Sequence, residues 1–220
     1  MQNIETGWFF SDLGKYRPIN DYSTYVCFSY EDLPPLPDLD FNGQFKWLSN
    51  EEPRPIQDEA ALLSMIDDAQ YGGFELPQAF LSFMGNETLR TAVASVSCTA
   101  CYFELTHGLI PVPNSPGEYL IHFLSDQQYC LLWYLYIKDG KDAGVLVSPY
   151  FFGSNGQVAP GYGQGPISSE KVLYCAPDFE RFIYRFWLEN VLWDKVSYDA
   201  NKGLNPIEEA YLNHYTQLSK

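Results

Sequence analysis

Cys98-Thr-Ala-Cys101 is the nearest approach to a metal or redox motif in this chain. Structural zinc needs a second pair at similar spacing, and a redox pair needs a strand-to-helix setting. Cys130 and Cys175 stand alone, so the pair reads as two buried thiols at a strand end. His107 precedes a glycine in a turn-like segment, His122 sits mid-strand, and His214 falls in the last helix. No His-x-x-x-His pair and no Gly-x-Ser-x-Gly elbow accompanies them. Gly161-Tyr-Gly-Gln-Gly165 lacks the Gly-Lys-Ser/Thr ending of a phosphate loop, and no helix follows it at once. Asp126 and Asp139 fall at strand connections, where aspartate favours turns for reasons of its own backbone. The expectation is a chain with no catalytic, cofactor or metal site. Only a Ser–His or His–Cys couple assembled from distant segments, around His107, His122 or Cys101, would reopen catalysis.

Charge is the strongest compositional signal. Twenty-eight acids against thirteen bases give −15 over 220 residues, and the surplus is lopsided. Residues 1–87 hold 15 acids and 4 bases; no Lys or Arg falls between Arg54 and Arg90. Asp58, Glu59, Asp67, Asp68, Glu75 and Glu87 fill that gap. Such a surface repels phosphate backbones and anionic membranes and speeds encounter with a basic partner. Acidity also serves solubility alone, which is the plainer reading. The expected partner is therefore a protein, with no nucleic acid and no membrane. The chain shows no signal-peptide pattern and no apolar run of membrane-spanning length. Its five cysteines are an odd set at irregular spacing. Both features lead us to expect a cytoplasmic protein without a disulfide framework.

The elements that would carry these residues follow from periodicity. Residues 1–56 are rich in aromatics and prolines, with Leu33-Pro-Pro-Leu-Pro37 breaking both helix and strand. They read as an extended arm, with one strand expected in 22–30. A helix is expected over 57–70, with Leu62, Met65, Ile66 and Ala69 on its buried stripe. A second begins at Leu76-Pro77, burying Phe80, Phe83 and Met84, with proline at its first position. Strands are expected at 92–96, 101–105, 118–124, 129–137, 143–148 and 171–175. The pair Asp139-Gly140 marks a hairpin. The glycine-rich run 153–165 is a loop. Two helices close the chain, one over 177–196 with Phe179, Phe182, Ile183, Phe186 and Leu192 on one stripe. The other follows Asn205-Pro206, with Ile207, Tyr211, Tyr215 and Leu218 on one side. Helices and strands segregated in this way predict an α+β domain over 57–220, its mainly antiparallel sheet flanked by helices, with the arm packed against it.

Three ordered segments carry a resemblance. They are Phe74-Glu-Leu-Pro-Gln-Ala-Phe-Leu-Ser-Phe-Met84, Phe123-Leu-Ser-Asp-Gln-Gln-Tyr-Cys-Leu-Leu-Trp-Tyr-Leu-Tyr136 and Asp178-Phe-Glu-Arg-Phe-Ile-Tyr-Arg-Phe-Trp-Leu-Glu-Asn190. Together they are similar to the SUKH superfamily of Smi/Knr-like regulators and bacterial immunity proteins, over roughly residues 57–195. The resemblance implies a non-enzymatic, toxin-binding role, and no contact residue transfers by position. The expected function is an immunity protein that covers a basic nuclease or deaminase toxin, as a monomer or weak homodimer. The alternative is a housekeeping scaffold or regulator of the same family; a toxin gene beside this one would separate the two. Asp58, Glu59, Asp67, Asp68, Tyr71, Phe74 and Glu75 are the expected contact residues.

Overall fold

Asp139 and Gly140 both take left-handed backbone angles, φ 51° and 72°. That geometry joins two long strands in a tight hairpin whose last pair is Lys138 with Lys141. The computed structural model describes residues 4–10, 13–18, 25–57, 59–105, 108–152, 167, 172–197 and 202–218. Its strands are β1 (Glu5–Thr6), β2 (Trp8–Phe10), β3 (Val26–Phe28), β4 (Tyr102–Phe103), β5 (Ile110–Pro111), β6 (Glu118–Ser125), β7 (Leu132–Lys138), β8 (Lys141–Ser148) and β9 (Leu173–Ala176). The helices are α1 (Glu59–Tyr71), α2 (Gln78–Met84), α3 (Glu87–Ala94), α4 (Phe179–Ser197) and α5 (Pro206–Leu218). The fold is α+β.

The main sheet runs β1-β9-β8-β7-β6-β4, with β5 also pairing β6. All its ladders are antiparallel except β1 on β9, where Glu5 faces Leu173. β2 and β3 form a separate two-stranded ribbon. The middle strands β6, β7 and β8 are buried on both faces, which is why the sequence there is almost continuously apolar rather than alternating. One face presents Phe123, Trp133, Leu135 and Val147 to the helices. The other presents Leu120, Leu132, Tyr134 and Leu146 to a smaller core closed by Phe151 and Phe152. Gly144, at φ 120°, keeps β8 close to β9: a Cβ there would meet Tyr174 at 2.5 Å and the Ala176 carbonyl at 2.6 Å.

α4 lies at the centre of the helical layer. Phe179 meets Phe80, Phe83 and Phe123 edge-on, and Phe182 and Phe186 pack on Trp133. Its far side is covered by residues 41–47, where the Trp47 ring sits 4.9 Å from Tyr184 and 5.7 Å from Trp187. Trp8, Leu13, Leu33, Phe45 and Ile56 are buried in the same core, so the N-terminal segment supplies core side chains as well as cover.

The structure corrects several expectations. Residues 92–96, expected as a strand, instead hold the last turn of helix α3 and the turn that follows it. The Asn86 side chain accepts from the Thr88 and Leu89 amides, and Leu89 and Val93 bury one helical stripe. Pro77 caps α2 rather than opening it. Residues 126–131 turn before β7 begins at Leu132. In α5, Asn205 caps as expected by accepting from the Ile207 and Glu208 amides. However, Ile207 is exposed, while Glu208 and Leu212 join Tyr211 and Tyr215 inside. The loop 153–165 and His107 lie outside the described residues. No helix among the described residues is long and apolar enough to cross a membrane.

Candidate functional site

α1 is amphipathic with an unusual outer face. Leu62, Met65 and Ala69 point into the core. On the outer side Glu59, Leu63, Asp67, Asp68 and Tyr71 face water, and Leu63, Asp67 and Tyr71 recur at four-residue steps, so they form one stripe. Tyr71 is 97% exposed and Leu63 51%; these are two of three large hydrophobic side chains exposed among the described residues. Scattered apolar surface is ordinary; here an almost fully exposed tyrosine lines up with a half-exposed leucine among carboxylates. Among the described residues, Glu59, Asp67, Asp68 and Glu75 form no ion pair. Their charge is directed at solvent.

The expected contact residues do not all share this face. Glu59, Asp67, Asp68 and Tyr71 lie on the outer side of α1, and Glu75 is exposed in the connection to α2. Asp68 lies against Gly108, where a Cβ would come within 2.9 Å of its Oδ2. Phe74 is half-buried: its ring stacks on Tyr119 at 5.2 Å and its Cβ covers Gly140 in the hairpin. It fastens the end of α1 to the sheet and is not a free anchor. Asp58 lies outside the described residues. Leu63 was missed. Its signal was an apolar residue beside the buried stripe rather than on it.

His122 and Ser125 do come together, with Ser125 Oγ 2.9 Å from His122 Nε2, and both side chains are fully buried. Ser125 donates its proton to Glu104 Oε1. His122 Nε2 also lies 3.2 Å from the Leu124 carbonyl. A carbonyl oxygen only accepts, so the Nε2 that faces it carries the hydrogen. That nitrogen is then no base for Ser125, and the rings of Tyr134 and Phe151 flank the imidazole. Cys101 is 3% exposed, and burial pushes its thiol up, away from the thiolate that nucleophilic chemistry needs. Cys98 is half-buried in the connection before β4, its amide donating to Asn190 Oδ1, so the two cysteines are not the buried strand-end pair expected. Among the described residues, no group of three His, Cys, Asp or Glu side chains is placed to hold a metal.

A dense polar cluster matches none of the sequence motifs. Glu189 of α4, fully buried, accepts from the Trp8 indole N–H at 2.8 Å and the Tyr211 hydroxyl at 2.6 Å. Arg17 grips it with both terminal nitrogens, at 2.9 and 2.8 Å, and also donates to the Tyr215 hydroxyl. Burial alone would push the Glu189 carboxyl up; the Arg17 guanidinium and its hydrogen bonds more than offset this and hold the carboxyl below its ordinary value of 4.5. The knot ties α4, α5 and the N-terminal segment together. Its signal was a carboxylate three residues beyond Phe186 on the apolar stripe of α4.

No known family model matches this chain, and no curated protein or solved structure is similar to it. Its function has to be read from its own residues.

Proposed function

We propose that this chain is a non-enzymatic protein-binding domain, and that it acts as an immunity protein by covering a basic toxin domain of nuclease or deaminase type. The observation that carries the reading is the outer stripe of α1, where Leu63 and Tyr71 stand exposed among unpaired carboxylates. Aromatic side chains give large contact areas at small entropic cost, and surrounding acids steer a cationic partner into register. The three segments similar to the SUKH superfamily fall on α2, on β6 with β7, and on the first part of α4. That order, an N-terminal helix, a hairpin and a late helix, supports placing the chain beside that superfamily.

Affinity capture from the native cell tests the proposal. The wild-type chain is expected to retain a basic toxin domain, and the Leu63→Ala/Tyr71→Ala double variant to lose it. Steering raises association by on the order of 10 to 10³-fold at low salt, so the association rate should fall steeply as salt is added. A rate flat with salt would remove the electrostatic part. A partner held equally by the double variant would move the site off α1.

A further inference from the structure

A cleft of ≈ 410 Å³ opens between the proline-rich segment 36–41 and the start of α4. Its walls include Leu36, Leu39, Phe41 and the Tyr30 ring. Arg185 and Arg181, one helical turn apart on α4, line the same cleft. Two arginines thus line one cleft whose walls combine polar and apolar side chains.

Arg185 is the informative member. It is 7% exposed, and of its five N–H groups one terminal nitrogen donates to the Tyr211 hydroxyl at 2.8 Å. Among the described residues it forms no ion pair. The nearby carboxylate, Glu189, is already taken by Arg17, Trp8 and Tyr211. The interior around this knot thus holds two guanidinium groups for one carboxylate. Glu189 still acts on Arg185 through its charge, but its oxygens go to other donors, so the remaining Arg185 N–H groups are available to an anion in the cleft. Arg181 at the rim pairs with Asp178. The Tyr30 hydroxyl, which feels the charge of both arginines, makes no hydrogen bond among the described residues. Asp38 also lines the cleft and is exposed. Its charge opposes any anion, and a doubly charged phosphate more than a single carboxylate.

We infer that this cleft binds a carboxylate carried beside an apolar group, with Arg185 and the Tyr30 hydroxyl receiving the oxygens and Leu36, Leu39 and Phe41 receiving the apolar part. The site is separate from the α1 stripe, so either reading can fail without the other. Two sources present this chemistry, a free apolar acid and the C-terminal end of a polypeptide. The probes are 3-phenylpropionate, a pentapeptide ending in phenylalanine, the primary amide of each, and inorganic phosphate, titrated against the full chain by NMR.

Either carboxylate is expected to shift the Arg185 Nε–H and the Leu39 and Phe41 amide signals. The amides and phosphate should bind about tenfold more weakly or worse, because a charge-assisted hydrogen bond is lost or a second charge meets Asp38. Tighter binding of the peptide assigns a chain end, and tighter binding of phenylpropionate assigns a free acid. Arg185→Met should weaken binding at least about tenfold. Because Arg185 is buried, Leu39→Trp provides a second variant, which fills the cleft and should abolish the shifts in a chain that still folds. An amide that binds as well as its acid, no shift with either carboxylate, or binding that survives Leu39→Trp would overturn the inference.

Discussion

The molecule treats negative charge in two opposite ways. Glu189 is withdrawn from water and given partners from three separate stretches: Trp8 and Arg17, and Tyr211 and Tyr215 of α5. On α1, Glu59, Asp67 and Asp68 are left in water beside Tyr71 and Leu63, with no ion-pair partner among the described residues. The first arrangement is forced: a carboxylate in the interior is tolerated only when every lone pair is engaged. The second is under no such demand, because water already solvates those groups. Residues whose exposure serves no packing purpose are the ones free to serve a partner. The knot is therefore built for stability, whereas the α1 stripe, proposed above as the contact face, contributes little to it, and substitutions should separate the two cleanly.

The largest effect belongs to the knot. Glu189→Ala leaves Arg17 buried without its counter-ion and is expected to cost about 3–5 kcal/mol of folding stability, read by chemical denaturation. Adding Arg17→Met should recover part of that loss. If the double variant is as unstable as the sum of the two single ones, the pair is not coupled and the contrast with α1 weakens.

Acid should expose the same knot more gradually. The Glu189 carboxyl is held below its ordinary 4.5 in the folded chain. Its contribution to stability is present above about pH 4.5 and is lost as pH falls through the lower, folded value. Denaturation midpoints measured from neutral pH downward should fall in that window for the wild type, and less steeply for Glu189→Ala. Equal slopes in the two proteins would show that other carboxylates govern the acid limb.

The smallest effect on stability belongs to α1. Tyr71→Ala and Leu63→Ala should each change it by no more than about 0.5 kcal/mol, since Tyr71 stands almost wholly in water and Leu63 is half exposed. Their cost should fall on binding instead, at about 2 kcal/mol for an anchoring tyrosine. A thermal shift in the Tyr71→Ala chain as large as that of a core variant would mean that the residue packs somewhere in solution.

Much of the frame was legible because its causes are local. Asp139-Gly140 sets the hairpin through two adjacent φ angles, Asn205 caps α5 through a side chain two and three residues away, and Leu62, Met65 and Ala69 mark α1 by spacing alone. Where a local signal was outweighed, the reading failed: residues 92–96 were expected as a strand, yet the Asn86 cap and the buried Leu89–Val93 stripe make α3. β1 and β5, two residues each, carry too little pattern to be found without the strand they pair with.

The candidate sites divide along the same line. The amino-acid order determined that α1 would be acidic outside and apolar inside, because both properties repeat with the helical period. It also named Tyr71 and Phe74 together, as neighbours of one kind. Only the tertiary structure separated them, leaving one ring in water and stacking the other on Tyr119, a residue of another element. It likewise decided that Glu189 would meet Arg17 across 172 positions, and that Arg185 would line a cleft while the oxygens of Glu189 go to other donors. Pattern reaches as far as one helix or hairpin; which distant side chain relieves a buried charge is settled when the layers close on each other.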